Sequence, residues 1–356
     1  MTKIAVFDAK PYDRASFDAA NAGRYEFRYF ETRLRAASVP LAEGCAGVCA
    51  FVNDAVNAAT VEGLVARGVK VLALRCAGYN NVDFKAAFEK GLTVVRVPAY
   101  SPYAVAEHAM SLLMTLNRHL HKAAARTRDF NFSLIGLTGM DLHGKTAGVV
   151  GTGKIGRVFC DICKGLGMRV LAYDAFPNPA SGLDYVPLDR LLAESDVVSL
   201  HCPLTPETHH LFDAGTIGKM KPGALLVNTS RGGLIESEAL LDALRDGRLG
   251  GAGLDVYEEE SDWFYEDRSQ RVKQDKVLAL LVSMPNVIVT SHQAFLTREA
   301  LSNIATTTCA NLDAYFAGGP LENEICYRCS GTSGAAKPPT CPNRRNGRCF
   351  ARAERS

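Results

Sequence analysis

Three charged residues stand just beyond short apolar runs, where a strand would deliver them to one edge of a sheet. Arg231 follows Leu226-Val227-Asn228-Thr229-Ser230, Glu260 closes Asp255-Val256-Tyr257-Glu258-Glu259-Glu260, and His292 follows Val287-Ile288-Val289-Thr290-Ser291. An arginine can clamp an anion and stabilise charge developing on an oxygen. An imidazole can hand over a proton near neutral pH, and a neighbouring carboxylate favours its charged form. Taken singly, each has an ordinary explanation. An arginine before Gly232-Gly233 is often a surface turn, an acidic triplet is usually a solvated face, and one histidine among eight is usually structural.

A glycine loop gives the trio a context. Thr146-Ala147-Gly148-Val149-Val150 runs into Gly151-Thr152-Gly153-Lys154-Ile155-Gly156 and then a helix-like stretch, Arg157–Leu166. In a strand–loop–helix unit, Gly151 permits the tight turn, Gly153 the approach of a pyrophosphate, and Gly156 close helix–strand packing. With 31 glycines in the chain, the spacing alone would be weak. Asp174 ends the next apolar run, where a carboxylate can bind both adenosine ribose hydroxyls and repel a 2′-phosphate. That favours NAD(H) over NADP(H).

The elements that must position these groups follow from the apolar pattern. Ile4–Phe7, Gly47–Phe51, Val69–Leu74, Val94–Val97, Thr146–Val150, Arg169–Tyr173, Asp196–Cys202, Ala224–Thr229 and Val287–Thr290 are strand-length. Helix-like segments, among them Asn57–Arg67 and Asp83–Lys90, separate them, so a parallel sheet covered on both faces is expected. Ser101-Pro102 reads as a helix start, followed by one long helix over Tyr103–Lys122. A second boundary falls near His292–Thr297, before a helix over Arg298–Phe316.

Length and composition fit this picture. A chain of 356 residues suggests about two domains at ~150 residues each. Its 47% hydrophobic and 22% charged residues exclude a disordered or fibrous protein. No apolar run approaches the ~18 residues of a membrane span; Ala46–Val52 and Val277–Val282 are the longest. Asp8 interrupts the N-terminus before a secretory core could form, and most cysteines sit singly in apolar segments, so a cytoplasmic location is expected.

The net charge of +2 averages two unlike parts. Cys326–Ser356 carries seven Lys+Arg against one acid, leaving 33 against 37 before it, so the body is about −4. The body gives no charge-based reason for a nucleic-acid or membrane partner. The tail has no hydrophobic periodicity and reads as a basic, solvated extension without a packed core. Its Cys326-x2-Cys329-x11-Cys341-x7-Cys349 lacks a second close pair and any histidine, so no metal site is assigned.

The ordered motifs resemble the D-isomer-specific 2-hydroxyacid dehydrogenases, most of all their bacterial fermentative D-lactate branch. The likeness is carried by Arg75–Asp83, Val97–Tyr100, Val105–His108, the Gly151–Gly156 loop, His201–Pro206, Asn228–Gly232, Leu254–Glu260 and His292–Thr297, and runs from Lys3 to Ile325. It implies an α/β fold of two parallel-sheet lobes, flavodoxin-like for substrate and Rossmann for NAD, with a cleft between them. The substrate lobe would be discontinuous, 1–99 plus 297–325, and the NAD lobe would span 100–296. The implied reaction is reversible NADH-dependent reduction of pyruvate to D-lactate, with hydride from nicotinamide C4.

The same resemblance implies His292 as proton donor, Glu260 as its partner, and Arg231 as the substrate-binding, carbonyl-polarising residue. It places Ala77, Gly78, Tyr100 and Phe295 on the substrate. Gly151, Gly153, Lys154, Ile155, Gly156, Asp174, Cys202, Pro203, Thr208, Thr229, Ser230, Arg231 and Asp255 fall on the cofactor, with Cys202 a lining residue and not a nucleophile. Homo-oligomers are expected in such a family. The alternatives are another 2-keto acid (phenylpyruvate, hydroxypyruvate or glyoxylate) and an NAD-sensing scaffold. The segment around Trp263–Asp267 and the uninterrupted catalytic set disfavour them.

Overall fold

The computed structural model describes residues 1–260, 263–270 and 275–325. The tail, with its four cysteines, lies outside the described residues. Met1–Ser101 and the described residues from Thr297 form one compact unit, and Pro102–Leu296 form another.

In chain order the first unit contains β1 (Thr2–Val6), α1 (Pro11–Asn21), β2 (Tyr25–Tyr29), β3 (Gly47–Ala50), α2 (Ala58–Ala66), β4 (Val71–Leu74), α3 (Phe84–Glu89) and β5 (Thr93–Arg96). Its sheet runs β2-β1-β3-β4-β5 with every pair parallel, the flavodoxin-like order. Asn57 and Asp83 cap α2 and α3 by accepting from the amides of Thr60 and Ala86, which is why both helices begin where those polar residues stand.

The second unit contains α4 (Pro102–Asn117), α5 (Leu120–Arg128), β6 (Thr146–Val150), α6 (Lys154–Gly165), β7 (Arg169–Tyr173), β8 (Asp184–Tyr185), α7 (Leu188–Glu194), β9 (Val197–Leu200), α8 (Ala214–Gly218), β10 (Ala224–Asn228), α9 (Ser237–Arg245), β11 (Leu249–Leu254), α10 (Lys276–Ser283) and β12 (Val287–Val289). The chain then returns to the first unit as α11 (Arg298–Phe316), where Cys309 and Leu312 pack with Val71 and Val95 of that sheet.

The second sheet runs β12-β11-β10-β9-β6-β7-β8, also all parallel. It is doubly wound, and its order reverses between β6 and β9, where such sheets bind ligands. Leu226 of β10 points into one core with Leu200 and Leu254, while Leu225 and Val227 point into the other with Leu113 and Phe159. Successive side chains of a strand face opposite ways, so both faces are buried, and the apolar runs had to be continuous. No helix among the described residues is long and apolar enough to cross a membrane.

Two expectations are corrected. Tyr103–Lys122 is two helices, because His119 takes a left-handed conformation (φ +50°) and breaks the ladder. Asn117 turns its side chain onto the backbone of Met140, accepting from its amide (3.1 Å) and donating to its carbonyl (2.9 Å). Leu249-Gly-Gly-Ala-Gly-Leu254, whose glycines obscure any strand pattern and which is not among the expected strands, is the inner strand β11, next to the edge strand β12. A β-carbon on Gly253 would stand 3.1 Å from Leu112, so glycine lets α4 lie directly on the sheet.

Arg75, 2% exposed, organises the end of β4. It donates to the carbonyls of Phe7 (2.9 Å) and Asp8 (2.7 Å), pairs with Asp13 at 3.3 Å, and stacks over Phe51. Its removal would orphan those acceptors inside the protein. Arg75→Met is therefore expected to lower the unfolding free energy by about 3–5 kcal/mol in urea melts. A loss below about 1 kcal/mol would show that the buried acceptors find other partners.

Candidate active site

Every proposed cofactor or acid/base group of the second unit sits at or beyond the C-terminal end of a strand. Gly151 follows β6 with φ +93°, and a β-carbon there would lie 2.5 Å from the Cys202 nitrogen. On Gly156 a β-carbon would lie 2.0 Å from the Gly151 carbonyl oxygen, whereas on Gly153 it would meet nothing within 4 Å. Two glycines thus close the turn against neighbouring backbone, and the third leaves open space beside the start of α6. A pyrophosphate needs that arrangement.

Asp174 follows β7. Its Oδ2 accepts from the Thr152 amide (2.7 Å) and hydroxyl (2.9 Å), and its Oδ1 accepts from the Phe176 amide (2.9 Å). The carboxylate is therefore fixed in orientation against the glycine loop, with lone-pair capacity remaining for hydroxyl donors. Beyond β9, burial pushes the Cys202 thiol up to about 11, which keeps it protonated and a poor nucleophile. Its carbonyl accepts from the Ser230 hydroxyl at 2.6 Å. The Thr208 hydroxyl, further along, donates to the Pro203 carbonyl at 2.7 Å. The Thr229 hydroxyl is buried and has no partner among the described residues, so a polar ligand atom at that edge would find a donor waiting. The glycine cradle, Asp174 and this orphaned hydroxyl fit NAD.

Arg231 is set by the turn after β10. The Asn228 side chain donates to the Arg231 carbonyl (2.9 Å) and accepts from the Ser230 amide (3.0 Å). A β-carbon on Gly232 would stand 2.0 Å from the Tyr257 carbonyl carbon, so the Arg231 turn lies against the chain that leads to Glu260.

Glu260 and His292 are joined directly. Oε1 of Glu260 is 2.7 Å from Nδ1 of His292, and Oε2 accepts from the Tyr257 amide at 3.0 Å. His292 has φ +51°, a conformation costing a non-glycine residue ~1–2 kcal/mol. The surroundings impose it. The His292 amide donates to the Asp255 carbonyl (2.7 Å), and the Tyr265 hydroxyl donates to the His292 carbonyl (2.9 Å).

The Asp255 carboxylate is buried and accepts from Thr290 Oγ1 (2.6 Å) and the amides of Gln293 (2.9 Å) and Ala294 (2.8 Å). Nε2 of His108, on α4, lies 3.3 Å from it. Burial opposes the Asp255 charge, but the hydrogen bonds from His108, Thr290 and Gln293 outweigh it and hold the carboxyl below the usual range. Asp255 thus supports the His292 turn from behind, and Ala294-Phe295 follow it into the interior.

The first unit holds the remaining candidates. Ala77 and Gly78 lie past β4, and among the described residues neither amide has an acceptor. The Ala77 carbonyl accepts from Arg96 (3.0 Å), and the Tyr100 carbonyl from Asn303 on α11 (2.7 Å). Two supporting residues, His108 and Tyr265, lie in segments that contribute to the family resemblance, but only the contacts in the structure tie them to Asp255 and His292.

Comparison with known proteins bears on the family and the fold. The family described as D-isomer specific 2-hydroxyacid dehydrogenase, NAD binding domain, matches residues 110–294. A 2-hydroxyacid dehydrogenase homolog of Haemophilus influenzae is 52% identical over 327 residues, covering 91% of this chain and 99% of the relative. The apo structure of D-lactate dehydrogenase from Escherichia coli is 48% identical with a TM-score of 0.83, covering 91% of this chain and 100% of that one. An NAD-complexed D-isomer specific 2-hydroxyacid dehydrogenase from Lactobacillus delbrueckii ssp. bulgaricus is 31% identical, TM-score 0.75, with coverage of 91% and 100%. A strand-end arginine, a carboxylate-held histidine and a glycine cradle, in a chain half identical to such enzymes along nine-tenths of its length, place it in the D-isomer specific 2-hydroxyacid dehydrogenase family.

Proposed function

We propose that the chain reduces pyruvate to D-lactate with NADH, reversibly, and that His292, Glu260 and Arg231 carry the reaction. The observation that carries the reading is the 2.7 Å contact of Glu260 with Nδ1 of His292, in a chain this similar to D-lactate dehydrogenase of Escherichia coli. The bound nicotinamide supplies the hydride at its C4. Glu260 occupies Nδ1, which leaves Nε2 of His292 as the nitrogen that donates a proton to the carbonyl oxygen. The carboxylate stabilises the imidazolium before transfer, and the left-handed backbone at His292 aims the ring.

Arg231 pairs with the substrate carboxylate and stabilises charge growing on the oxygen. The amides of Ala77 and Gly78 and the side chains of Tyr100 and Phe295 are proposed as further substrate contacts. Gly151, Gly153, Lys154, Ile155, Gly156, Asp174, Cys202, Pro203, Thr208, Thr229, Ser230, Arg231 and Asp255 are the proposed cofactor surroundings. The substrate lobe of this reading is 1–99 with 297–325, and the cofactor lobe is 100–296.

A homo-oligomer in the cytoplasm belongs to the same reading. Phe130, Phe132, Leu134 and Ile135 are 84, 69, 80 and 84% exposed, four large apolar side chains in one short segment, an arrangement that favours burial against a second copy. The seven described cysteines are buried and none is in a disulfide, as suits a reducing compartment.

His292→Gln is expected to lower kcat for pyruvate by about 10²–10⁴-fold while NADH still binds, measured by steady-state kinetics and fluorescence titration. Arg231→Lys, which loses the planar fork, is expected to raise KM and lower kcat together. Full activity in His292→Gln would sink the acid/base role. A substrate panel with NADH and NADPH is expected to rank pyruvate and NADH first, with Asp174→Ala narrowing the preference between the cofactors. A bulkier keto acid far ahead of pyruvate would overturn the substrate. Light scattering is expected to give a mass above the monomer, reduced by Phe132→Asp with Ile135→Asp; a wild-type monomer would refute the oligomer.

A further inference from the structure

The loop after β9 ends in two consecutive histidines, His209 and His210, which the reaction does not use. Consecutive side chains in extended backbone point apart. Here His210 takes a left-handed conformation (φ +51°), and the two rings stack with centroids 3.9 Å apart and planes 28° from parallel. Both Nε2 atoms then face one carboxylate. Glu258 Oε1 is 2.6 Å from His210 Nε2 and 4.0 Å from His209 Nε2. One ligand atom from each of the three residues lies within 4.8 Å of the others.

The surroundings hold this cluster in place. The His210 amide donates to the Gly233 carbonyl at 2.9 Å, which ties the histidine loop to the turn that carries Arg231. The Ser237 hydroxyl donates to Oε2 of Glu258 at 3.1 Å and leaves Oε1 for the histidines. Beside Glu258 opens a cavity of about 320 Å³ whose lining includes Glu236, Glu238, Glu259 and Asp275, a concentration of negative charge that attracts cations. The rim is reachable, since the side chains of His209, His210 and Glu258 are 53, 34 and 23% exposed.

We propose that His209, His210 and Glu258 form a site for a zinc-class divalent ion, with water completing the shell. Two imidazoles and one carboxylate suit Zn²⁺ or Co²⁺, which take three protein ligands and an open position. Mg²⁺ and Ca²⁺ prefer all-oxygen shells. Ligands at ~2.0–2.2 Å from a tetrahedral ion stand ~3.3 Å apart. Binding therefore draws the three ligand atoms, which lie within 4.8 Å of one another, to that spacing and turns the two imidazoles out of their near-parallel stack so that both Nε2 lone pairs converge on the ion. The ion would clamp the loop after β9 to the segment after β11, on either side of the Gly232 turn. Because Glu258 stands two residues before Glu260, the clamp stiffens the support of the acid/base pair without touching it.

The test uses the full chain with Cys326, Cys329, Cys341 and Cys349 changed to serine, which removes the tail thiols as competing ligands. Equilibrium dialysis with Zn²⁺ alone is expected to give one ion per chain, and Co²⁺ the absorption of a tetrahedral nitrogen–oxygen site without a thiolate charge-transfer band. His209→Ala and Glu258→Gln are expected to weaken binding at least tenfold and abolish the rise in Tm that Zn²⁺ produces. His292→Gln, which removes the other histidine–carboxylate pair, is expected to leave binding intact. Circular dichroism confirms that each variant is folded. Absence of stoichiometric binding, binding unchanged in folded His209→Ala and Glu258→Gln, or binding lost in His292→Gln would each overturn the proposal.

Discussion

Asp255 is the constraint on which the rest of the site hangs. It stands at the end of the inner strand β11, fully inside the protein, and a carboxylate there is tolerable only if its oxygens are satisfied. They are, by donors from the two sides that must be joined: Thr290, Gln293 and Ala294 on the turn around His292, and His108 on the helix packed across the sheet. Its carbonyl accepts from the His292 amide as well. A strained backbone at His292 persists because these bonds outweigh its cost, and the strain sets the direction of the imidazole. The histidine that would move the proton is thus aimed by a residue that never needs to touch substrate.

Close approach of backbones does the corresponding task for Arg231. Any side chain at Gly232 would collide with the peptide between Tyr257 and Glu258. The arginine turn and the acidic segment therefore rest on each other at van der Waals distance, and a shift in one is felt by the other. The glycines of β11 act in the same way one layer deeper. Gly251 would drive a β-carbon to 2.6 Å from the Asn286 carbonyl oxygen, and Gly253 faces Leu112, so helix, strand and loop are held at spacings only glycine permits. Interiors packed this closely transmit displacement instead of absorbing it.

Much of the fold was legible because a parallel sheet buried on both faces leaves an unmistakable trace. Thr146–Val150 and Arg169–Tyr173 read as strands over their observed spans, and Arg298–Phe316 reads as the helix it forms. The trace fails where another principle takes over. Leu249–Leu254 hides its strand behind three glycines, whose reason is close packing against the Gly223 and Asn286 backbone and against Leu112 and Leu116 of α4. The run from Tyr103 to Lys122 keeps its helical spacing through the break, which lies in the left-handed backbone of His119, beside an Asn117 side chain bonded to Met140 more than twenty residues away. His108 and Tyr265 lie in segments that contribute to the family resemblance, but their contacts with Asp255 and His292, like the meeting of His209 and His210 with Glu258, carry no local signal, since the partners are distant in sequence.

The amino-acid order by itself determined the class of fold, the glycine loop with an acid ending the next strand, and the strand-end positions of Arg231, Glu260 and His292, whose roles are proposed from the family resemblance. Those depend on periodicity, spacing and residue type, which are one-dimensional properties. Only the tertiary structure decided that Glu260 meets Nδ1 of His292, that Asp255 is spent on the turn behind it, and that Cys202 is held as a neutral thiol. Distances of two or three ångströms between groups thirty residues apart arise from strand register and from backbone packing at glycine. Neither is written in any single stretch of chain.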